Sequence, residues 1–144
     1  VRLADRPHRD EHSLEVHLPF LQLTLEDFAI VPLVVGDATA EEVAQVLEAL
    51  WGGPETLILV SSDLSHYHDY ETARRIDAVT SAAIERLSET PLNYEQACGA
   101  MPINGLVVVA RRRGLSAAVL DLRNSGDTAG PRHEVVGYGA YAFL

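Results

Sequence analysis

Lysine is absent from this 144-residue chain, and all 11 basic side chains are arginine. Gly52-Gly53 therefore cannot open a phosphate-cradling loop: it lacks both the lysine and the glycine spacing that such a loop needs. Positive charge is scarce as well. Against those 11 stand 21 acidic groups, for a formal net charge of -10. That argues against a nucleic-acid partner, because binding a phosphate backbone needs a basic face. The one basic run, Arg111-Arg112-Arg113, falls at an expected helix end, where it can complement the helix dipole. There is a single cysteine, Cys98, which excludes an intrachain disulfide framework and a multi-cysteine zinc site. The longest apolar runs, near Leu106–Ala110, are far too short for a membrane span, and no charged-then-apolar leader is seen. These absences leave a cytoplasmic protein without membrane or nucleic-acid partners as the expectation. The chain opens on Val1 and a loop-like polar stretch, which reads as the remainder of something longer.

What is present fits one α/β domain over residues 1–144, a mixed sheet flanked by helices. The hydrophobic fraction of 47% suffices for a core. Leu14, Leu18, Leu21 and Leu25 recur at helical spacing over Glu11–Leu25, interrupted by Pro19, which either kinks that helix or opens a new one. Asp27–Val35, which contains the apolar run Ile30–Val35, reads as a strand, with Pro32 confining it to an edge or a bulge. Thr39, with Glu42 three residues on, predicts a capping box and a helix to about Trp51. Thr56–Leu59 reads as a buried strand of a parallel or mixed sheet. A long helix is expected from about Tyr70 to Ser88, and a short one from Pro91 through Ala97. A further helix has Pro102 in its first turn and ends at Gly114. Ala117–Asn124 and Val135–Leu144 read as strands around a turn-rich loop.

Three polar clusters interrupt these apolar elements. Ser61-Ser62-Asp63-Leu64-Ser65-His66 follows the Thr56–Leu59 strand, and ligands gather beyond the carboxyl ends of strands in open α/β sheets. Asp63 and His66 can form a carboxylate–imidazole pair; alternatively Ser62 or Asp63 caps a following helix. His12 and Glu15, three apart, can meet on one helical face, or belong to a solvated first turn. Cys98, beside Gly99 and just before a helix, is either a small buried hydrophobe or a thiolate able to ligate a soft or borderline metal. No Gly-x-Ser-x-Gly elbow supports a serine hydrolase. A His–Asp–Cys metal set stays open.

The stretches Asp10-Glu11-His12-Ser13-Leu14-Glu15-Val16-His17-Leu18-Pro19-Phe20, Val31-Pro32-Leu33-Val34-Val35-Gly36, Ser61-Ser62-Asp63-Leu64-Ser65-His66, and Cys98-Gly99 with Pro102-Ile103, in that order, resemble the Memo family. Its bacterial and archaeal members are called AmmeMemoRadiSam system protein B. The resemblance implies a fold similar to the class III extradiol dioxygenases and a mononuclear metal pocket ligated by two histidines and a cysteine. It implies that Cys98 is the cysteine ligand and that His66, oriented by Asp63, is an acid/base group beside the metal. His12 and Glu15 would support the same cleft. The family's two ligand histidines belong to first-half motifs, Pro-His-Ala-Gly and Gly-Pro-Ser-His, which are absent here. The resemblance thus covers a C-terminal half. Alone, the chain is expected to bind redox metal weakly or not at all, and to self-associate or associate with a first-half polypeptide. The implied chemistry is redox or oxygen-dependent, at iron or copper, on an unidentified small-molecule or peptide ligand. The alternatives are a ring-cleaving dioxygenase and a non-catalytic peptide- or partner-binding module.

Overall fold

A computed structural model describes residues 1–144. They form an α/β protein with four helices and a three-stranded sheet. Two compact units are present, Val1–Asp37 and Ala38–Leu144.

In the first unit the expected Glu11–Leu25 helix is realised only in its second half, as α1 (Leu18–Thr24). Pro19 lies in the first turn of α1. Proline lacks the N–H that a preceding turn would use, so the helix begins there, and residues 13–17 form turns instead. The strand expected at Asp27–Val35 has no ladder partner.

The second unit opens with α2 (Ala40–Leu50). Its capping box is complete: Thr39 Oγ1 accepts the Glu42 N–H, and Glu42 accepts the Thr39 N–H. The Thr39 N–H and then the Thr39 hydroxyl, both donating to the Glu42 carboxylate, hold that carboxyl below the ordinary carboxylate range. Thr56–Leu59, expected as a buried strand, is not one. Exposure alternates along it, with Leu57 (69%) and Leu59 (49%) facing out, and no strand lies beside it. Apolar composition records affinity for a sheet face, whereas a ladder requires a second backbone, and this chain places none there.

The sheet has the order β1 (His66–His68), β3 (Val135–Phe143), β2 (Ala117–Asn124) and is antiparallel throughout rather than mixed. β2 and β3 form a long hairpin in register from Ala117 opposite Phe143 to Asn124 opposite Gly137, with a bulge at Val119/Asp121. β1, read from sequence as polar loop, pairs His66 with Val136 and His68 with Val135. Between them Tyr67 sits at φ 60, an uncommon conformation for a residue with a Cβ, and it breaks the ladder's regularity.

α3 (Tyr70–Glu85) is capped by Asp69, whose side chain accepts the Thr72 N–H, and it packs on β2 and β3. α4 (Ala100–Arg113) packs on α2 at close range. Their contact passes through Gly105: a Cβ there would come within 2.3 Å of Val43 Cγ1, so only glycine lets the two helices approach this far. Leu64, Ile84, Leu92, Ala97, Ile103 and Val107 form the core between α3 and α4. The short helix expected from Pro91 is a turn instead. Asn93 Oδ1 takes the N–H groups of Glu95 and Gln96, and buried Asn104 clamps Leu92 through both its N–H and its carbonyl. Side chains thus claim the backbone groups a helix would have used. The arginine run ends α4 as expected, and its members engage neighbours: Arg111 pairs with Glu89, Arg112 with Glu41 and Glu48, and Arg113 lies over the Trp51 ring.

Candidate metal centre

Two loops build the site. The first runs from Ser61 into β1. Its course is set by two inward residues, Leu64 and Ser65, which are nearly or fully buried. The Leu64 N–H donates to the Gly137 carbonyl and the Gly137 N–H donates to the Ser65 carbonyl, each at 2.8 Å. The Ser65 N–H donates to the carboxylate of Asp77, a 2%-exposed residue of α3, at 3.0 Å. With Leu64 and Ser65 pinned, Asp63 and His66 emerge on the outer side. His66 Nε2 lies 3.5 Å from Asp63 Oδ2, an ion-pair contact and longer than a good hydrogen bond. Neither Ser62 nor Asp63 caps α3; Asp69 does.

The second loop carries Cys98, one residue before the Gly99 cap of α4. Cys98 is exposed, which rules out the buried-hydrophobe reading. Its sulfur accepts the Asp63 N–H at 3.2 Å, and its own N–H donates to the Asp63 carbonyl at 3.3 Å. Ser62 completes the join by accepting the Gly99 N–H at 2.8 Å. Gly99 is required by this contact, since a Cβ there would fall 2.7 Å from Ser62 Cβ and 3.0 Å from the Ser61 carbonyl oxygen.

The result is a carboxylate oxygen, an imidazole nitrogen and a sulfur, from Asp63, His66 and Cys98, all within 4.8 Å of one another. Such a set could hold a metal ion. The mixture of thiolate and imidazole with one carboxylate suits first-row transition metals better than calcium or magnesium, which prefer all-oxygen shells. The cluster lies at the surface, apart from a cavity of about 160 Å³ lined by Arg74, Asp77, Leu122, Arg123, Asn124 and Asp127, among others.

His12 and Glu15 meet, though in a turn and not on the expected helical face, with His12 Nδ1 2.9 Å from Glu15 Oε1 and both exposed within the first unit. Beside them the Ser13 N–H donates to Glu11 at 2.7 Å and holds that carboxyl below its ordinary range. Sequence reasoning missed Ser62, Gly99 and Asp77 as parts of the site. Ser62 and Gly99 were adjacent to named residues. Asp77, in the middle of a helix, carried one local signal, a charge on an otherwise inward face.

Fold and site together describe an α/β protein with an N/O/S cluster that could hold a metal ion. A family model for Memo-like protein matches residues 2–142, and the chain belongs to the Memo family. The MEMO1 family protein of Saccharolobus solfataricus is 34% identical, over 99% of this chain and 55% of that protein. That of Methanobrevibacter smithii is also 34% identical, over 94% of this chain and 52% of its own length. The chain thus spans about half the length of the curated relatives it matches. No helix is long and apolar enough to cross a membrane.

Proposed function

We propose that this chain contributes the thiolate side of a mononuclear iron or copper pocket, and that the whole protein carries out redox or oxygen-dependent chemistry there. The supporting observation is the convergence of Asp63, His66 and Cys98 within 4.8 Å from loops 35 residues apart. In this reading Cys98 is a metal ligand, held by the Asp63 N–H, which donates to its sulfur. His66 gives or takes a proton at Nε2, and the Asp63 carboxylate, 3.5 Å away, orients the ring. His12 and Glu15 pair with each other within the first unit. A bound iron or copper would supply one-electron chemistry and Lewis acidity that no side chain offers. A cytoplasmic setting fits, since a lone exposed thiol stays reduced there.

The test is a metal titration of the chain joined with the polypeptide that its relatives carry beyond the matched half. Stoichiometric retention of iron or copper, lost in Cys98→Ser, is the expected result. Retention unchanged by that substitution would refute the ligand assignment.

A second reading, a module that binds a peptide or partner chain without turnover, is favoured by one feature. The unpaired Thr56–Val60 segment exposes Leu57 and Leu59 and leads directly into the site. Its mark would be a completed protein that retains no metal yet binds a peptide across this edge.

A further inference from the structure

We propose that Ser62 is a positioning residue for the Cys98 sulfur. The inference rests on the metal-pocket reading for its purpose, though not for its geometry. The Cys98 side chain is exposed, so packing does not fix its rotamer. What fixes it is a brace between two loops. Ser62 Oγ accepts the Gly99 N–H at 2.8 Å and donates to the Asp63 carbonyl at 2.6 Å. That carbonyl in turn accepts the Cys98 N–H, and the Asp63 N–H reaches the sulfur. The serine hydroxyl therefore ties together the backbone on both sides of the thiol. It also lies 3.6 Å from Sγ, within reach of a hydroxyl–sulfur hydrogen bond.

A hydroxyl has one proton and two lone pairs, so Ser62 can give its proton to the Asp63 carbonyl or to the sulfur while still accepting from Gly99. A ligating sulfur is an acceptor only, which leaves Ser62 as the donor in that contact. Partners of this kind orient a metal ligand and tune its electron density without touching the metal. The absence of a side chain at Gly99 belongs to the same device: a Cβ there would meet Ser62 Cβ at 2.7 Å and push the loops apart.

Two measurements test this, the first on the 144-residue chain. In the metal-free protein, the Hα–Hβ couplings of Cys98 should report one rotamer. They should average in Ser62→Ala, with amide shifts away from the two loops unchanged, and return to a single rotamer in Ser62→Thr, which keeps the hydroxyl. A single Cys98 rotamer in Ser62→Ala overturns the proposal. In a cobalt(II) titration of the chain joined with the polypeptide that its relatives carry beyond the matched half, read by the thiolate-to-cobalt absorption band, Ser62→Ala should need roughly tenfold or more metal for half-saturation, with the band displaced in energy. An unmoved band and midpoint would also overturn it. Gly99→Ala, which presses on Ser62 from the other side, should reproduce both losses; it serves in place of Ser62→Ala if that variant does not fold. The metal reading fails separately, if Cys98→Ser binds cobalt as wild type does; the coupling measurement then still decides the role of Ser62.

Discussion

Asn104 and Asp77 show how much single buried polar residues govern here. Asn104 satisfies both backbone groups of Leu92, donating from Nδ2 and accepting at Oδ1. Replacing it with leucine keeps the branched shape but leaves a buried N–H and a carbonyl unpaired, each a desolvation loss. Asn104→Leu should therefore lower unfolding free energy by about 1–3 kcal/mol or more, as read from urea midpoints at unchanged slope. A loss below that range would mean water reaches Leu92. Asp77 acts through the backbone, holding the Ser65 N–H so that His66 leaves the core at a set angle. Periodicity could not anticipate this role, because the pattern of a helix records which positions face inward and not what they meet there.

Among the elements, α2 depends most on local sequence. Its capping box was legible from Thr39 and Glu42 because both bonds join residues three apart, needing no tertiary partner. Thr39→Ala should cost about 1 kcal/mol by chemical denaturation. The same box gives a pH dependence. The Glu42 carboxyl titrates lower when folded than when unfolded, since the Thr39 N–H and hydroxyl favour its charged form. Its contribution is then fully present above the unfolded value, about 4.3, and is lost as pH falls through the lower folded value. Glu42→Gln, which removes the titrating group, should accordingly flatten the acid limb of a stability–pH curve between about pH 5 and 3. An identical acid limb in the variant would show that the box does not persist in solution. β1 is the opposite case. His66–His68 is polar and short, and it is a strand only because β3 lies alongside.

At the scale of the molecule, the unpaired Thr56–Val60 segment is the most consequential feature. Exposed, flat apolar edges favour association with another chain. Leu57 and Leu59 project outward from it, in a chain matching about half the length of its relatives. The isolated chain should therefore self-associate with rising concentration. Leu57→Lys with Leu59→Glu should shift it toward monomer by light scattering, without loss of helix signal. Equal association in wild type and double variant would exclude this edge as the contact. The −10 net charge opposes association at low salt, so the difference should be largest at high ionic strength.

The sequence by itself determined the helices α2, α3 and α4 to within a few residues, the hairpin strands β2 and β3, and the three polar residues, Asp63, His66 and Cys98, that the fold brings within 4.8 Å of one another. Each of these is written in short-range terms: caps, apolar period, and residue types out of place among apolar neighbours. Tertiary structure decided what a second backbone must supply. It made β1 a strand, left Thr56–Leu59 unpaired, and brought the sulfur of Cys98 to the Asp63 amide. Hydrogen bonds between residues far apart in sequence are set by how the core packs, and no local pattern of side chains encodes that.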